Sequence, residues 1–175
     1  MKKLIFISLI FSILSLSVSA QKPTKAEKAA QLEQEFQQTR QLIESNHFQF
    51  ELNRVYPQDG QDLSRFNPRG KFVITDSVAK GTLPFFGRAY SLPYGEGGGI
   101  EFDGVMKDQS LKIEHKKKRK ILIYRFSITA KNDTYQISME ISGGGNCSVN
   151  LNSNNRAQIS YSGTVSPVKD ETGKS

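Results

Sequence analysis

The residues best placed to hold a ligand lie in one window, Leu83–Gly104, which carries Leu83-Pro84, Phe85, Phe86, Arg88, Tyr90, Tyr94 and the glycine-rich run from Gly95 to Gly99. Read as a strand over Leu83–Ser91, this stretch puts Phe86, Arg88 and Tyr90 on one face, with Tyr94 beyond. A guanidinium between aromatic rings can grip an anionic head while the rings cover an apolar tail. The competing reading has Arg88 capping a barrel end, paired with a carboxylate or backbone carbonyls while the rings pack as core. A second candidate is the basic run Lys116, Lys117, Lys118, Arg119 and Lys120, preceded by His115. Lying between two strands, it should form a hairpin tip. Such a tip could touch anionic headgroups or glycan, or simply be a solvated turn that resists aggregation.

Other chemistries are argued against by residue type and spacing. Cys147 is the single cysteine, and His47 and His115 are the two histidines. They fall on different strands or loops, whereas a zinc site takes four Cys or His ligands, or three and a water. Cys147 alternates with Val149 and Leu151 and reads as a core thiol, because a reactive thiol needs a base or a positive field beside it. Ser77-Val78-Ala79-Lys80 has the S-x-x-K spacing of penicillin-recognising enzymes, but there the serine opens a helix in a larger α/β body. The run Gly95–Gly99 leads into a strand, not the helix whose amides would back a phosphate. Glu96, Glu101 and Asp103 lack the regular oxygen spacing of a calcium loop. Asp76-Ser77-Val78 fits a short bacterial O-glycosylation pattern that recurs easily by chance. We expect no enzyme, no metal and no cofactor. Nucleic acid is not expected either, since the basic run has no interleaved aromatic platform.

The N-terminus sets the expected compartment. Lys2 and Lys3 precede an uncharged apolar core, Leu4–Val18, and Val18-Ser19-Ala20 supplies the small residues of a signal-peptidase site. The run is shorter than the roughly 20 residues of a spanning helix. Cleavage after Ala20 leaves Gln21 first, not the cysteine of a lipid-anchored protein, so an exported periplasmic or secreted chain is expected. Removing 20 of the 175 residues leaves 155, with Lys2 and Lys3 taken from a net charge of +7. A lone cysteine forms no internal disulfide, so stability must come from packing.

Gln21–Asn46 reads as an N-terminal helix. Thr24 and Glu27 form a capping box, and Ala29, Leu32, Phe36 and Ile43 fall on one narrow stripe. From His47 the period is two: Phe48, Phe50, Leu52 and Tyr56 alternate with polar residues, although Arg54 and Val55 break the pattern. Short alternating runs recur at Lys71–Thr75, Leu83–Ser91, Gly99–Asp103, Leu111–Ile113, Ile121–Ala130, Tyr135–Ile141, Cys147–Leu151 and Ala157–Val165. This pattern predicts a mostly β, antiparallel up-and-down barrel of about eight to nine strands over 47–165. The tail 166–175 is expected to be disordered.

Leu83-Pro84-Phe85-Phe86-Gly87-Arg88-Ala89-Tyr90, then Pro93-Tyr94-Gly95, Gly99-Ile100-Glu101-Phe102 and the closing Asn155-Arg156-Ala157-Gln158-Ile159-Ser160-Tyr161-Ser162-Gly163, resemble the signature of the domain of unknown function 4251 (DUF4251) family. The resemblance runs over about Phe48–Val165. It implies small exported proteins of Gram-negative bacteria with a lipocalin-like barrel, and it implies no activity. Phe85 stands where tyrosine is common in the family.

Two functional classes follow. One is a binding module for a small apolar or amphipathic ligand, with Phe86, Arg88, Tyr90 and Tyr94 as its contacts. The other is a structural or interaction protein of the cell envelope, acting through its helix or its basic tip.

Overall fold

The computed structural model of the chain describes residues 24–91, 98–116, 119–130 and 133–169. The expected signal segment 1–20, Tyr94, Glu96, Lys117, Lys118 and the last tail residues lie outside this set. The chain divides into two compact units, Met1–Gln31 and Leu32–Ser175.

Helix α1 spans Lys25–Glu44. Its start is the expected capping box: Glu27 N–H donates to Thr24 Oγ1 at 3.2 Å, and Thr24 N–H donates to Glu27 Oε2 at 2.7 Å. The helix ends where Asn46 turns left-handed, with φ 49°. Within the second unit, Phe36, Thr39 and Ile43 are its buried residues. Of the expected stripe, Ala29 is exposed and Leu32 is 63% exposed. Thr39 takes the intervening buried turn, satisfying its hydroxyl on Glu35 O at 2.9 Å. Phe36 and Ile43 join the barrel core, so this half of the helix closes one barrel end.

Eight strands follow: β1 His47–Pro57, β2 Lys71–Thr75, β3 Val78–Leu83, β4 Ile100–Lys116, β5 Arg119–Ala130, β6 Asp133–Ser142, β7 Asn146–Ser153 and β8 Ile159–Pro167. Each pairs antiparallel with the next, and β8 returns to β1 to close the barrel. Closure covers most sheet edges, although β4 beyond Val105 pairs with β5 alone. The irregularity at Arg54 and Val55 is a β-bulge: the β1–β8 register shifts between Leu52 and Arg54. The extra residue moves the inward position from Leu52 to Val55, which is fully buried. A second bulge, between Lys107 and Ser110 with Asp108 at φ 53°, joins into one long β4 the runs that alternation alone separates.

Side chains fill the lumen. Phe50 stacks on Phe72 at 5.0 Å between centroids, Phe72 meets Phe102 at 5.9 Å, and Phe102 meets Tyr135 at 6.2 Å. Leu122, Ile128, Ile137, Met139, Val149 and Leu151 complete the core. Each such ring or aliphatic chain contributes roughly 1.5–3 kcal/mol by burial.

Two expectations are corrected. The strand expected over Leu83–Ser91 is not formed beyond Leu83. Pro84 has no N–H to continue the ladder, and its carbonyl instead accepts from Tyr161 Oη at 2.9 Å. Residues 84–91 become a strap laid on the β7–β8 connection. Tyr90 N–H donates to Asn155 O at 2.8 Å, and Ala157 N–H donates to Arg88 O at 2.9 Å. The tail also stays in the sheet longer than expected, with β8 running to Pro167. Lys169 Nζ then reaches Glu51 at 2.9 Å. The same segment covers Gln49, which is buried and bonds Glu51 and Ser166.

Candidate binding site at the barrel mouth

The end opposite the helix is bordered by the β1–β2, β3–β4 and β7–β8 connections, and it is the mouth. A partly open cavity of about 1250 Å³ lies there. Its wall runs over the rim. Lys71, Val73, Lys80, Thr82, Glu101 and Asp103 line it from the outer face of β2–β4, opposite in phase to the buried Phe72 and Phe102. Arg69, Gly70, Ser91, Gly99 and Asn155 form the rim, and Leu52, Phe102, Tyr135 and Arg156 the inner edge.

Arg156 is the most unusual group in this wall, a guanidinium with 4% side-chain exposure. Its carbon sits 5.1 Å from the centroid of the Phe85 ring, and Nη1 donates to Gly98 O at 3.3 Å. Nε lies 4.0 Å from Asp133 Oδ2 and makes no hydrogen bond among the described residues. Asp133 already accepts from Ser153 Oγ at 2.5 Å and from Thr134 N–H at 2.8 Å. Arg156 thus ties three mouth elements together: the strap through Phe85, the approach to β4 through Gly98, and the start of β6 through Asp133. Nearby, burial pushes the Tyr161 phenol well above its usual pKa, and the charge of Arg156 pulls the other way.

The charges of the wall balance. By number the basic Arg69, Lys71, Lys80 and Arg156 are offset by Glu51, Glu101, Asp103 and Asp133, although Arg69 has no carboxylate within ion-pair distance among the described residues; Lys80 pairs Asp103 at 2.7 Å. By number of charges the wall favours neither sign of ligand, and at its inner edge the rings of Phe102 and Tyr135 are almost wholly buried.

The expected contact residues fall elsewhere. Phe86 is half-buried, while Arg88 is exposed and Tyr90 is 66% exposed. Phe86, Arg88 and Tyr90 are not in the cavity wall, and Tyr94 lies outside the described residues. An arginine against an aromatic ring does stand in the cavity wall, but it is Arg156 on Phe85. Sequence reading missed it because its partners are remote in the chain. In sequence, Asn155 and Arg156 stood out only as the start of the closing segment that resembles the family signature.

The basic run does sit at the β4–β5 hairpin end, with His115 opposite Lys120 and Lys116 opposite Arg119. Lys116 Nζ pairs Glu140 at 2.7 Å, and that hydrogen bond raises its pKa. Lys120 Nζ pairs Glu33 at 2.8 Å and lies 5.6 Å from the Phe36 ring centroid. Among the described cations of the run, Lys116 and Lys120 are thus already matched, and Arg119 is exposed. Ser77 lies in the β2–β3 turn, where its carbonyl accepts from Met106 N–H at 2.7 Å. Cys147 is buried, and burial, helped by Glu140, pushes its thiol pKa far up.

Comparison with known proteins agrees with this architecture. The family model described as domain of unknown function (DUF4251) matches residues 30–165. A crystal structure of a DUF4251 family protein from Bacteroides eggerthii DSM 20697 superposes with a TM-score of 0.56 at 22% identity, covering 79% of this chain and 91% of that one. At that identity the likeness speaks for the fold alone. No curated protein matches.

Proposed function

This chain belongs to the DUF4251 family, whose domain has no known function, and on that premise we propose that it is an exported, non-enzymatic binding module taking a small apolar or amphipathic ligand at the barrel mouth. The observation that carries the reading is the mouth cavity of about 1250 Å³. Small-molecule sites commonly enclose about 300–1000 Å³, so the space is ample for a ligand held partly in the open. The lumen itself is packed with side chains, which leaves the mouth as the place to bind.

The composition of the wall supports an amphipathic ligand. The half-buried Val73 and Ala130 of the wall can take an apolar portion, and the charges over the rim can take a polar one. The non-enzymatic part of the reading rests on the burial of Cys147 and on Ser77 lying in a hairpin turn. Export rests on the apolar segment Leu4–Val18 and its small-residue end. An envelope role acting through the basic tip is weakened by the Lys116–Glu140 and Lys120–Glu33 pairs.

Native mass spectrometry of the chain isolated from exporting cells tests the proposal, backed by amide NMR titration with decanol and decanoate. A bound adduct, or saturable shifts at Thr82, Phe102 and Tyr135, is expected. No adduct together with no saturable shift at the mouth would defeat it.

A further inference from the structure

We propose that the rim of the mouth is a docking surface for an anionic lipid bilayer. The rim exposes two aromatic rings, Phe66 at 60% and Tyr90 at 66%. Both are held out by ordered backbone. Phe66 closes the 3-10 turn Ser64–Phe66, which Leu63 N–H ties to Val55 O of β1 at 3.1 Å. Tyr90 N–H is fixed on Asn155 O at 2.8 Å while its ring faces solvent. The two connections meet at one cavity, whose wall includes both Arg69 and Ser91.

Exposed arginines accompany the rings. Arg65 stands 4.8 Å from the centroid of Phe66, Arg69 follows on the same connection, and Arg88 lies two residues before Tyr90. Among the described residues, none of the three has a carboxylate within ion-pair distance, whereas Arg54 takes Asp62 at 3.7 Å. The acids of this connection keep their charge, but local donors hold them outside ion-pair distance of these three arginines. Asp62 accepts from Ser64 N–H at 2.9 Å, and the hydrogen bonds from Ser64 lower its pKa. Asp59 accepts from Gln61 N–H at 3.1 Å. The rim thus offers unmatched guanidinium groups beside isolated rings.

That combination fits the lipid headgroup layer. Aromatic rings settle at the membrane interface, and guanidinium groups chelate phosphate oxygens. A protein partner would call for a contiguous apolar patch, but here the rings are separate and interleaved with charge. The hairpin tip, at the helix end, is the poorer candidate because Lys116 and Lys120 are matched. Docking by the rim would bring the mouth cavity to the bilayer surface.

Vesicle co-sedimentation tests the idea, using the chain as isolated from exporting cells with phosphatidylcholine vesicles, with and without phosphatidylglycerol. Binding is expected only when phosphatidylglycerol is present. The Arg65→Gln, Arg69→Gln, Arg88→Gln triple variant should weaken it by on the order of a hundredfold. The Phe66→Ser, Tyr90→Ser double variant should weaken it at least about tenfold, because two interfacial rings are removed. The Lys116→Gln, Arg119→Gln, Lys120→Gln variant should bind as the parent does. All the rim positions are exposed, and a thermal melt checks that each variant folds. The proposal is overturned if the parent binds neither vesicle or both equally, if the rim variants bind like the parent, or if only the tip variant loses binding. Decanol binding in vesicle-free solution is measured in parallel, so the ligand-binding proposal stands or falls separately.

Discussion

Replacing Arg156 with methionine tests whether this buried guanidinium holds the mouth together. The change keeps most of the side-chain volume against Phe85 but removes the charge beside Asp133, which lies 4.0 Å away. Breaking a buried ion pair by removing one partner typically costs about 3–5 kcal/mol. Here the cost is smaller, because Asp133 keeps its bonds from Ser153 and Thr134. Removing an Nε–H that is buried without a partner also returns part of the loss, by about 1–3 kcal/mol. The cation–ring contact with Phe85 adds about 1 kcal/mol to the loss. The net expectation is a destabilisation of about 2–3 kcal/mol, which for a domain of this size lowers Tm by roughly 5–10 °C. Arg88→Met, at an exposed neighbour on the same strap, should stay within about 0.5 kcal/mol. Urea unfolding followed by circular dichroism gives both values. If Arg156→Met unfolds at the same urea concentration as Arg88→Met, the clamp is not what secures the strap.

Three further outcomes follow from the packing. Gly163→Ala should destabilise by about 3 kcal/mol or more, because a Cβ there would overlap the Glu51 carbonyl and sit 2.7 Å from the Phe50 ring, where β8 closes on β1; a midpoint shift in urea measures it. Alkaline absorbance titration should show Tyr124 ionising late, since burial pushes its phenol up to about 12. A raised folded-state value means that this contribution to stability is intact below about pH 10 and is lost as pH rises towards 12, so an alkaline midpoint shift in Tyr124→Phe checks the sign. Cys147 should resist iodoacetamide in the folded chain and react promptly in urea, as followed by mass spectrometry.

The barrel was legible because alternation at Tyr135–Ile141, Cys147–Leu151 and Ile159–Tyr161 reports a one-sided environment residue by residue. The bulges were visible only as defects. Arg54 and Val55 broke the pattern, and the pairing explains why, since an added residue shifts the phase. The strap misled because its sequence alternates like a strand, although Pro84 cannot donate and the β7–β8 connection offered Arg88 and Tyr90 other partners. Helix α1 was placed correctly, but its buried stripe was not. Leu32 is exposed and Thr39 buried, which depends on where the barrel end meets the helix. The mouth was hardest to read, because Arg156, Phe85, Gly98 and Asp133 are assembled from separate connections. No local period carries that information.

The most direct test of ligand binding at the mouth uses a property of the composition: the chain has no tryptophan. Thr82→Trp therefore installs a sole fluorophore in the cavity wall, and Arg125→Trp installs one on exposed β5, away from it. Each is titrated with bromodecanoic acid and with bromodecanol, below their aggregation limits. Binding at the mouth predicts saturable quenching of the Thr82→Trp fluorophore and only weak, linear quenching at position 125. Equal, non-saturating quenching of the two by both probes would contradict it.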